Sequence, residues 1–479
     1  MNDGAKRAEA VSDDVAGIDL GDRRLDFRAR RIAERLATEP ALGFPEALAK
    51  EADLEGFYRF LGNKKVTAAA ILKPHSEATA GRAIEHGTVL AVHDTTEFRF
   101  GGEGREGLGE VTRAGNMFLA HFCLAVSADG NRDPLGVLAM KTWARDGSPT
   151  QSRLLKQGVS SATLRGMATE QDRWNETVES AEACVAGKAS LIHIMDSESD
   201  DYALLCNLQA AERRFVLRLC NDRRLDAQAT GSLPGEKARE FIARAEIRAE
   251  RKVKLSRRKR AIAGGRTKRV LPRKERMATL VFSATPIVFL RPQPALKTLP
   301  ETLTVNVVSV RERDAPEDVE PVDWILLTSE PIDTEEDILK VVDFYRARWI
   351  IEEYFSALKT GCAFEQRQLE SMSTLTKALA LFAPVAWTLL RMRASSRSPV
   401  KASIATVLTP VQITILKKET KIPLRKNSTA ADAYLAVARL GGHIKNNGAP
   451  GWRVLGRGYD RLLTLEAGYK IAKGETCDR

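Results

Sequence analysis

Leu191-Ile192-His193-Ile194-Met195-Asp196 is an unbroken apolar run that closes on an aspartate. A run of this length and composition reads as a buried strand. Behind it, Asp200 or Asp201 can cap a helix over residues 202–213, and Phe215-Val216-Leu217-Arg218 then returns as a strand. Strand, helix and strand in that order predict an α/β sheet. Working outward, Val89-Leu90-Ala91-Val92-His93-Asp94 is a second apolar run that ends in an aspartate, and residues 118–126 and 135–140 add two more strands. Between them, the glycine-rich stretch 101–115 reads as a mobile loop and lacks the spacing of a phosphate loop. Helical sequence occupies roughly 150–187. Further β-like runs follow at 278–284, at 303–310 and at Trp324-Ile325-Leu326-Leu327-Thr328-Ser329. A long helix is expected from about residue 335 to 360, and helices again beyond about 375. The expected class is α/β, a mixed sheet with helical pieces at both ends of the chain.

Composition narrows the function. The 479 residues hold 74 Lys and Arg against 63 Asp and Glu, a net charge of +11. Residues 251–276 alone contain 13 Lys or Arg and one acid, Glu275, so the rest of the chain is close to neutral. A local basic segment of this kind points to a polyanion, although a solvated loop has the same composition. Residues 1–70 read as helical, with five arginines from Arg23 to Arg31 beside an apolar stripe of Leu25, Ile32 and Leu36. Arginines on one side of small helices suit DNA, and a solvated helical face is the plain alternative. Six scattered cysteines with no C-x-x-C exclude a zinc ribbon and a disulfide framework, and point to a reducing cytosol. Met1-Asn2-Asp3-Gly4 opens no signal-peptide core. The longest apolar stretch, 378–390, is short for a bilayer and contains Pro384. A cytoplasmic protein with no membrane partner is expected.

The chemistry gathers on the 345–359 helix. Tyr345, Arg348, Glu352 and Lys359 would fall within an arc of about 60° on one continuous α-helix. Taken alone, Arg348 and Glu352 are better explained by an ordinary i,i+4 ion pair. Asp94 and Asp196 stand at strand ends, where open α/β sheets collect ligands. Each alone reads more simply as a turn or cap residue. Together with Glu352 they supply three hard oxygen donors suited to Mg²⁺ or Mn²⁺.

These motifs resemble bacterial insertion-sequence transposases of the DDE type, the subgroup marked by a Y-x2-R-x3-E-x6-K helix. Tyr345, Arg348, Glu352 and Lys359 match that spacing without a gap, and the likeness extends through Trp349, Glu353 and Lys359-Thr360-Gly361. Val92-His93-Asp94-Thr95-Thr96 looks like the first-aspartate motif, and Met195-Asp196-Ser197-Glu198-Ser199-Asp200 like the second. The Trp324 run resembles the family's tryptophan strand. Leu20-Gly21-Asp22-Arg23-Arg24 and Tyr58-Arg59-Phe60 resemble its DNA-binding region. Leu408-Thr409-Pro410 and Ala438-Arg439-Leu440-Gly441-Gly442 resemble its C-terminal domain. One departure is Ser356, where the best-known relatives carry a lysine.

The resemblance implies a ribonuclease H-like catalytic domain over 71–375 with a β-rich basic insertion at about 225–320. A helical DNA-binding domain over 1–70 and a helical dimerisation domain over 376–479 would flank it. It implies Asp94, Asp196 and Glu352 as catalytic ligands of two Mg²⁺ ions, with Mn²⁺ able to substitute. Arg348, Lys359 and Tyr345 would hold DNA phosphates, Trp324 a flipped base, and Arg218 the DNA near a hairpin. Arg24, Arg28 and Arg59, with Arg257, Arg258, Lys259 and Arg260 of the basic segment, would add DNA contacts. The implied activity is metal-dependent cleavage at transposon ends through a hairpin, then transfer of the 3′-OH into target DNA by a homodimer formed on double-stranded DNA. Two alternatives are a non-catalytic DNA-binding inhibitor or regulator, and a metal-dependent nuclease acting on branched DNA. Residues His93, His121 and His193 are read as strand residues without a catalytic role.

Overall fold

The computed structural model describes residues 14, 17–38, 43–48, 50–102, 105–110, 116–145, 171–255, 261–262, 269–270, 274–293, 297–317, 319–397, 402–420, 422–425, 427–444 and 449–473. The chain is mixed α/β, with helical segments at both ends. It divides into two compact units. The first comprises Met1–Val159, Glu176–Ser190 and Trp349–Arg479; the second comprises Ser160–Asn175 and Leu191–Arg348.

In the first unit, β1 (Thr88–Phe100), β2 (Asn116–Ser127) and β3 (Pro134–Trp143) form an antiparallel meander with β2 in the middle. Strand β1 is longer than its apolar run: it continues six residues past Asp94, which therefore lies inside the strand and not at its end. The extension has a cause. Phe98 and Phe100 are buried against Phe118 and Phe364, so apolar burial carries the ladder onward. The glycine-rich stretch is also more anchored than its composition suggests. Arg105 donates to the carbonyls of Gly101, Arg367 and Leu369, and Gly109–Glu110 pairs with β2. Of the helical stretch expected at 150–187, Asp172–Val185 is helix, and 150–170 lie outside the described residues.

Helices α1 (Arg23–Thr38), α2 (Glu51–Gly62) and α3 (Ala68–His86) precede the meander, with Ile32 and Leu36 of α1 buried as the stripe requires. Helix α8 (Met372–Arg397) is long and apolar enough to cross a membrane, yet 83% of its apolar window is buried in the unit. Its side chains reach the other elements. Lys377 donates to the carbonyls of Leu61 and Asn63 at the end of α2, and Trp387 Nε1 donates to Pro134 at the start of β3. Helices α9 (Pro410–Glu419), α10 (Ala430–Leu440) and α11 (Trp452–Ala472) complete the unit. N-terminal and C-terminal helices thus share one core with the meander, as the Phe44–Phe382 ring contact illustrates.

The second unit carries a mixed sheet. Strand β4 (Ser190–Met195) pairs in parallel with β5 (Arg214–Arg218), the two joined by α5 (Tyr202–Ala210). A parallel pair needs such a crossover. Beyond β5 the sheet turns antiparallel through β9 (Asp323–Thr328), β8 (Thr302–Arg313), β7 (Arg276–Leu290) and β6 (Ile247–Leu255). These last three strands lie within residues 225–320, and α6 (Glu335–Arg346) follows under a Thr334–Asp337 capping box.

Close helix contact in the first unit depends on glycines. A Cβ on Gly458 of α11 would be driven into the Val437 carbonyl of α10, a backbone atom that cannot give way. Gly458→Ala should therefore lower stability by about 1–3 kcal/mol or more. Urea denaturation monitored by circular dichroism checks this, with Gly468→Ala, where a Cβ meets open space, as the control.

Candidate active site

The expected single helix over 335–360 is in fact three pieces. Helix α6 ends at Arg346, Ala347 and Arg348 form a turn, α7 runs Trp349–Ser356, and a π-helical turn follows over Ala357–Gly361. The one-face argument for Tyr345, Arg348, Glu352 and Lys359 assumed a constant 100° per residue, and both irregularities break that period. Tyr345 and Arg348 belong to the second unit, whereas Glu352 and Lys359 belong to the first. Ser356 contributes to the change of pitch: its Oγ donates to the Glu352 carbonyl at 3.0 Å, a back-bond of the type that bends helices.

In the first unit, Asp94 of β1 stands opposite Phe122 of β2. Cross-strand partners share a sheet face. Phe122 packs against Tyr354 and Phe355 of α7, with ring centroids 5.4 and 5.8 Å apart, so Asp94 lies on the face that α7 covers. The orientation of α7 is set from behind. Tyr354 donates its buried hydroxyl to the Ala383 carbonyl at 3.2 Å, and Glu353 pairs with Arg393 and Arg397 of α8. That leaves Glu352 half-buried, like Asp94. Lys359 donates to the Glu97 carbonyl of β1 at 2.6 Å, with its ammonium 5.4 Å from the Phe98 ring. Burial pulls its pKa below the usual lysine value, while Glu365, Glu97 and Glu352 oppose that shift and Arg99 adds to it.

In the second unit, Asp196 directly follows β4 and caps the turn Ser197–Ser199, accepting from the Glu198 N–H at 2.9 Å. Tyr345 is buried, which pushes its hydroxyl above the usual tyrosine value; Arg348 and Arg218 lower it and Asp196 raises it further. Arg348, Arg218 and Asp196 are therefore each near enough to act on the Tyr345 hydroxyl. Trp324, only half-buried on β9, meets Tyr345 edge-on at 5.6 Å, and Arg218 donates to the neighbouring Asp323 carbonyl at 3.2 Å. A tryptophan in this position is not a core residue.

The same turn holds an anchor that the sequence marks only through its D-x-E-x-D pattern. Asp200 is 3% exposed and accepts from the backbone N–H groups of Cys220 and Asn221, each at 2.6 Å, and from Arg223 at 2.5 Å. This ties the loop after β5 to the turn of Asp196. The capping role falls to Asp201, which accepts from Ala203 and Leu204.

Among the N-terminal candidates, Arg24 projects into solvent with its side chain 93% exposed, and Arg59 forms an exposed pair with Glu55. Arg28 lies over Gly56, beside a groove of about 390 Å³ between α1 and α2 that Arg31, Arg35 and Phe27 also line. Arg257, Arg258, Lys259 and Arg260 lie outside the described residues. Three described members of the basic segment are paired within the chain: Arg251 with Asp343, Arg276 with Glu312 and Lys254 with Glu275. Among the described residues, no group of three or more His, Cys, Asp or Glu stands in a metal-holding arrangement.

Residues 171–385 match the family described as Transposase DDE domain, and residues 7–66 match Transposase DNA-binding. The two matches support a DDE transposase. The DDE match takes in the described part of the second unit and α7, so it includes Asp196 and Glu352, while Asp94 lies before it. It brings with it the ribonuclease H-like class of the sheet, and the match over 7–66 supports DNA as a partner. DDE transposases act in general as nucleases and strand transferases that use divalent metal ions.

The Asp200 anchor gives a direct test. Removing one partner of a buried ion pair leaves the other charge uncompensated, at a cost of about 3–5 kcal/mol. Asp200→Ala should lose that much in chemical denaturation, and Asp200→Ala with Arg223→Met should recover part of it.

Proposed function

We propose that this chain is an active cut-and-paste transposase of the Y-R-E-K subgroup. It cleaves DNA at the ends of a bacterial insertion sequence through a hairpin and joins the freed 3′-OH to target DNA. The observation that carries this reading is the sheet face on which Asp94 lies beneath α7, the helix of Glu352, in a chain that matches both transposase domain families. The clustering of Asp196, Arg218, Tyr345 and Arg348 in the second unit supports it further.

Asp94, Asp196 and Glu352 would hold two Mg²⁺ ions, or Mn²⁺ in their place, because carboxylates are the hard oxygen donors those ions take. When bound, such ions supply an activated water or 3′-OH and offset the charge on the leaving 3′-oxygen. The chain's own residues position the DNA. Arg348 and Lys359 hold phosphates of the transferred strand, and Lys359 gives up its bond to the Glu97 carbonyl to do so. Tyr345 orients the phosphate beside the cut, and Arg218 holds the strand near the hairpin. Trp324, half-exposed and propped edge-on by Tyr345, receives a base turned out of the duplex. Arg24, Arg28 and Arg59 bind the end DNA from the N-terminal helices, and Arg257, Arg258, Lys259 and Arg260 from the basic segment. Residues 1–70, 71–375 and 376–479 serve as DNA-binding, catalytic and dimerisation segments. The working species is a homodimer formed on DNA in the cytoplasm.

The test is to incubate the purified protein with a pre-cleaved end of its own element, a plasmid target and Mg²⁺. Strand-transfer products are expected, and should vanish in Asp94→Ala, Asp196→Ala and Glu352→Ala while end binding persists. Binding without products from the unaltered protein would make it a non-catalytic regulator. Cleavage without joining would make it a nuclease of branched DNA.

A second prediction concerns Trp324. Trp324→Ala should slow hairpin closure and spare the first nick, as resolved on denaturing gels. Equal loss of both steps would return Trp324 to a packing role.

A further inference from the structure

Strand β6 leads directly into the basic segment, and its two arginines are bonded to other parts of the second unit. Arg251 makes a two-pronged pair with Asp343 of α6, at 2.8 and 3.0 Å, and its guanidinium lies 5.7 Å from the Phe282 ring. Asp343 also accepts from Arg346 at 3.0 Å. Three residues earlier, Arg248 donates to the carbonyls of Ile332 and Asp333 at 2.7 and 2.6 Å, just before α6 begins. The same strand thus grips α6 at its approach and again near its end.

Residues three apart on a regular strand point to opposite faces. Here one reaches α6 and the other the residues just before it, and the ladder between them is irregular. Phe282 stands opposite Ala249 and Ser283 opposite Ile247, so Arg248 is an extra residue in a bulge. A bulge of this kind re-aims a side chain. The arrangement places Arg251, the first basic residue of the segment, two positions in partner sequence from Tyr345.

We propose that Arg248 and Arg251 are positioning residues: a two-point strap that sets α6, and with it Tyr345 and Arg348, relative to the root of the DNA-gripping segment. The proposal rests on the transposase reading. Under it, Arg251 makes no DNA contact of its own although it belongs to the most basic stretch of the chain. Its guanidinium is already spent on a carboxylate, and α6 is where its removal is felt.

The two roles give different readouts. A phosphate contact contributes about −0.9 to the slope of log K against log salt on duplex DNA. Arg251→Ala and Asp343→Asn are expected to change end affinity and that slope by the same amount, because both act through α6 and the Arg348 contact it carries. The combined change of Arg257, Arg258, Lys259 and Arg260 to alanine should flatten the slope. At saturating protein, single-turnover cleavage should fall about tenfold or more in both strap variants, the scale expected when positioning is lost. The double variant should be no slower than either single one, and Arg251→Asp with Asp343→Arg should recover part of the rate. A slope flattened by about 0.9 in Arg251→Ala and not in Asp343→Asn would make Arg251 a DNA contact and overturn the strap. Unchanged cleavage in both variants would overturn it equally.

A readout without catalysis keeps the two ideas separable. The ¹⁹F resonance of 5-fluorotryptophan at Trp324, assigned with Trp324→Phe, reports the edge contact with Tyr345. It should move in Arg251→Ala and Asp343→Asn, and an unmoved resonance would remove the strap whatever the enzyme does. Failure of the unaltered protein to cut DNA, with the resonance still displaced, would sink the transposase reading and leave the strap standing.

Discussion

Helix α8 is buried along most of its length, so the polar groups it carries need partners inside the first unit. Those partners decide where the other elements stand. Lys377 is 5% exposed and reaches the end of α2; Trp387 is 1% exposed and reaches the start of β3. At the other end, Arg393 and Arg397 hold Glu353, and the Ala383 carbonyl receives the Tyr354 hydroxyl. Arg367 is enclosed between the rings of Phe44 and Phe382 and bonds the Cys362 carbonyl, and burial pulls its pKa down to about 10. An N-terminal segment, a meander and the helix of Glu352 are in this way indexed to one apolar rod.

The second unit is organised by charge pairs at the borders of its sheet. Asp200 with Arg223 fixes the loops around Asp196, and Arg251 with Asp343 fixes α6. Both carboxylates are bound by more than one donor, which for the buried Asp200–Arg223 pair is the condition under which a desolvated ion pair is tolerated. Asp196 stands four residues before Asp200, Arg218 five before Arg223 and Tyr345 two after Asp343, so the cluster adjoins residues that do not themselves suggest chemistry. Neither anchor announces itself by composition, because a paired arginine and a DNA-binding arginine are the same letter.

Much of the architecture was nonetheless legible. The strands around Ile192, Val216, Leu326 and Val308 are apolar enough to be buried wherever they are put, and each is a strand in the structure. Helix ends were readable where side chains cap them, as Asp201 and Thr334 do. Boundaries failed where burial came from distant partners. Phe98 and Phe100 extend β1 because Phe118 and Phe364 cover them, and no local pattern marks that. The break at Ala347 and Arg348 was hidden for a related reason. Every residue there tolerates a helix, and the interruption coincides with the passage from one compact unit to the next.

The sequence by itself determined which residues are available for chemistry: Asp94, Asp196, Glu352 and the basic and aromatic side chains spaced around them. It also determined the α/β class, since strand-forming apolar runs and capped helices are local properties of a few consecutive residues. Only the tertiary structure decided which of those residues face one another. It laid Asp94 on the sheet face under α7, grouped Tyr345 with Arg218 and Asp196, and withdrew Arg251 from the basic segment into a pair with Asp343. The physical reason is that a side chain's direction depends on strand register, bulges and helix pitch, and these are set by contacts between residues far apart in the chain.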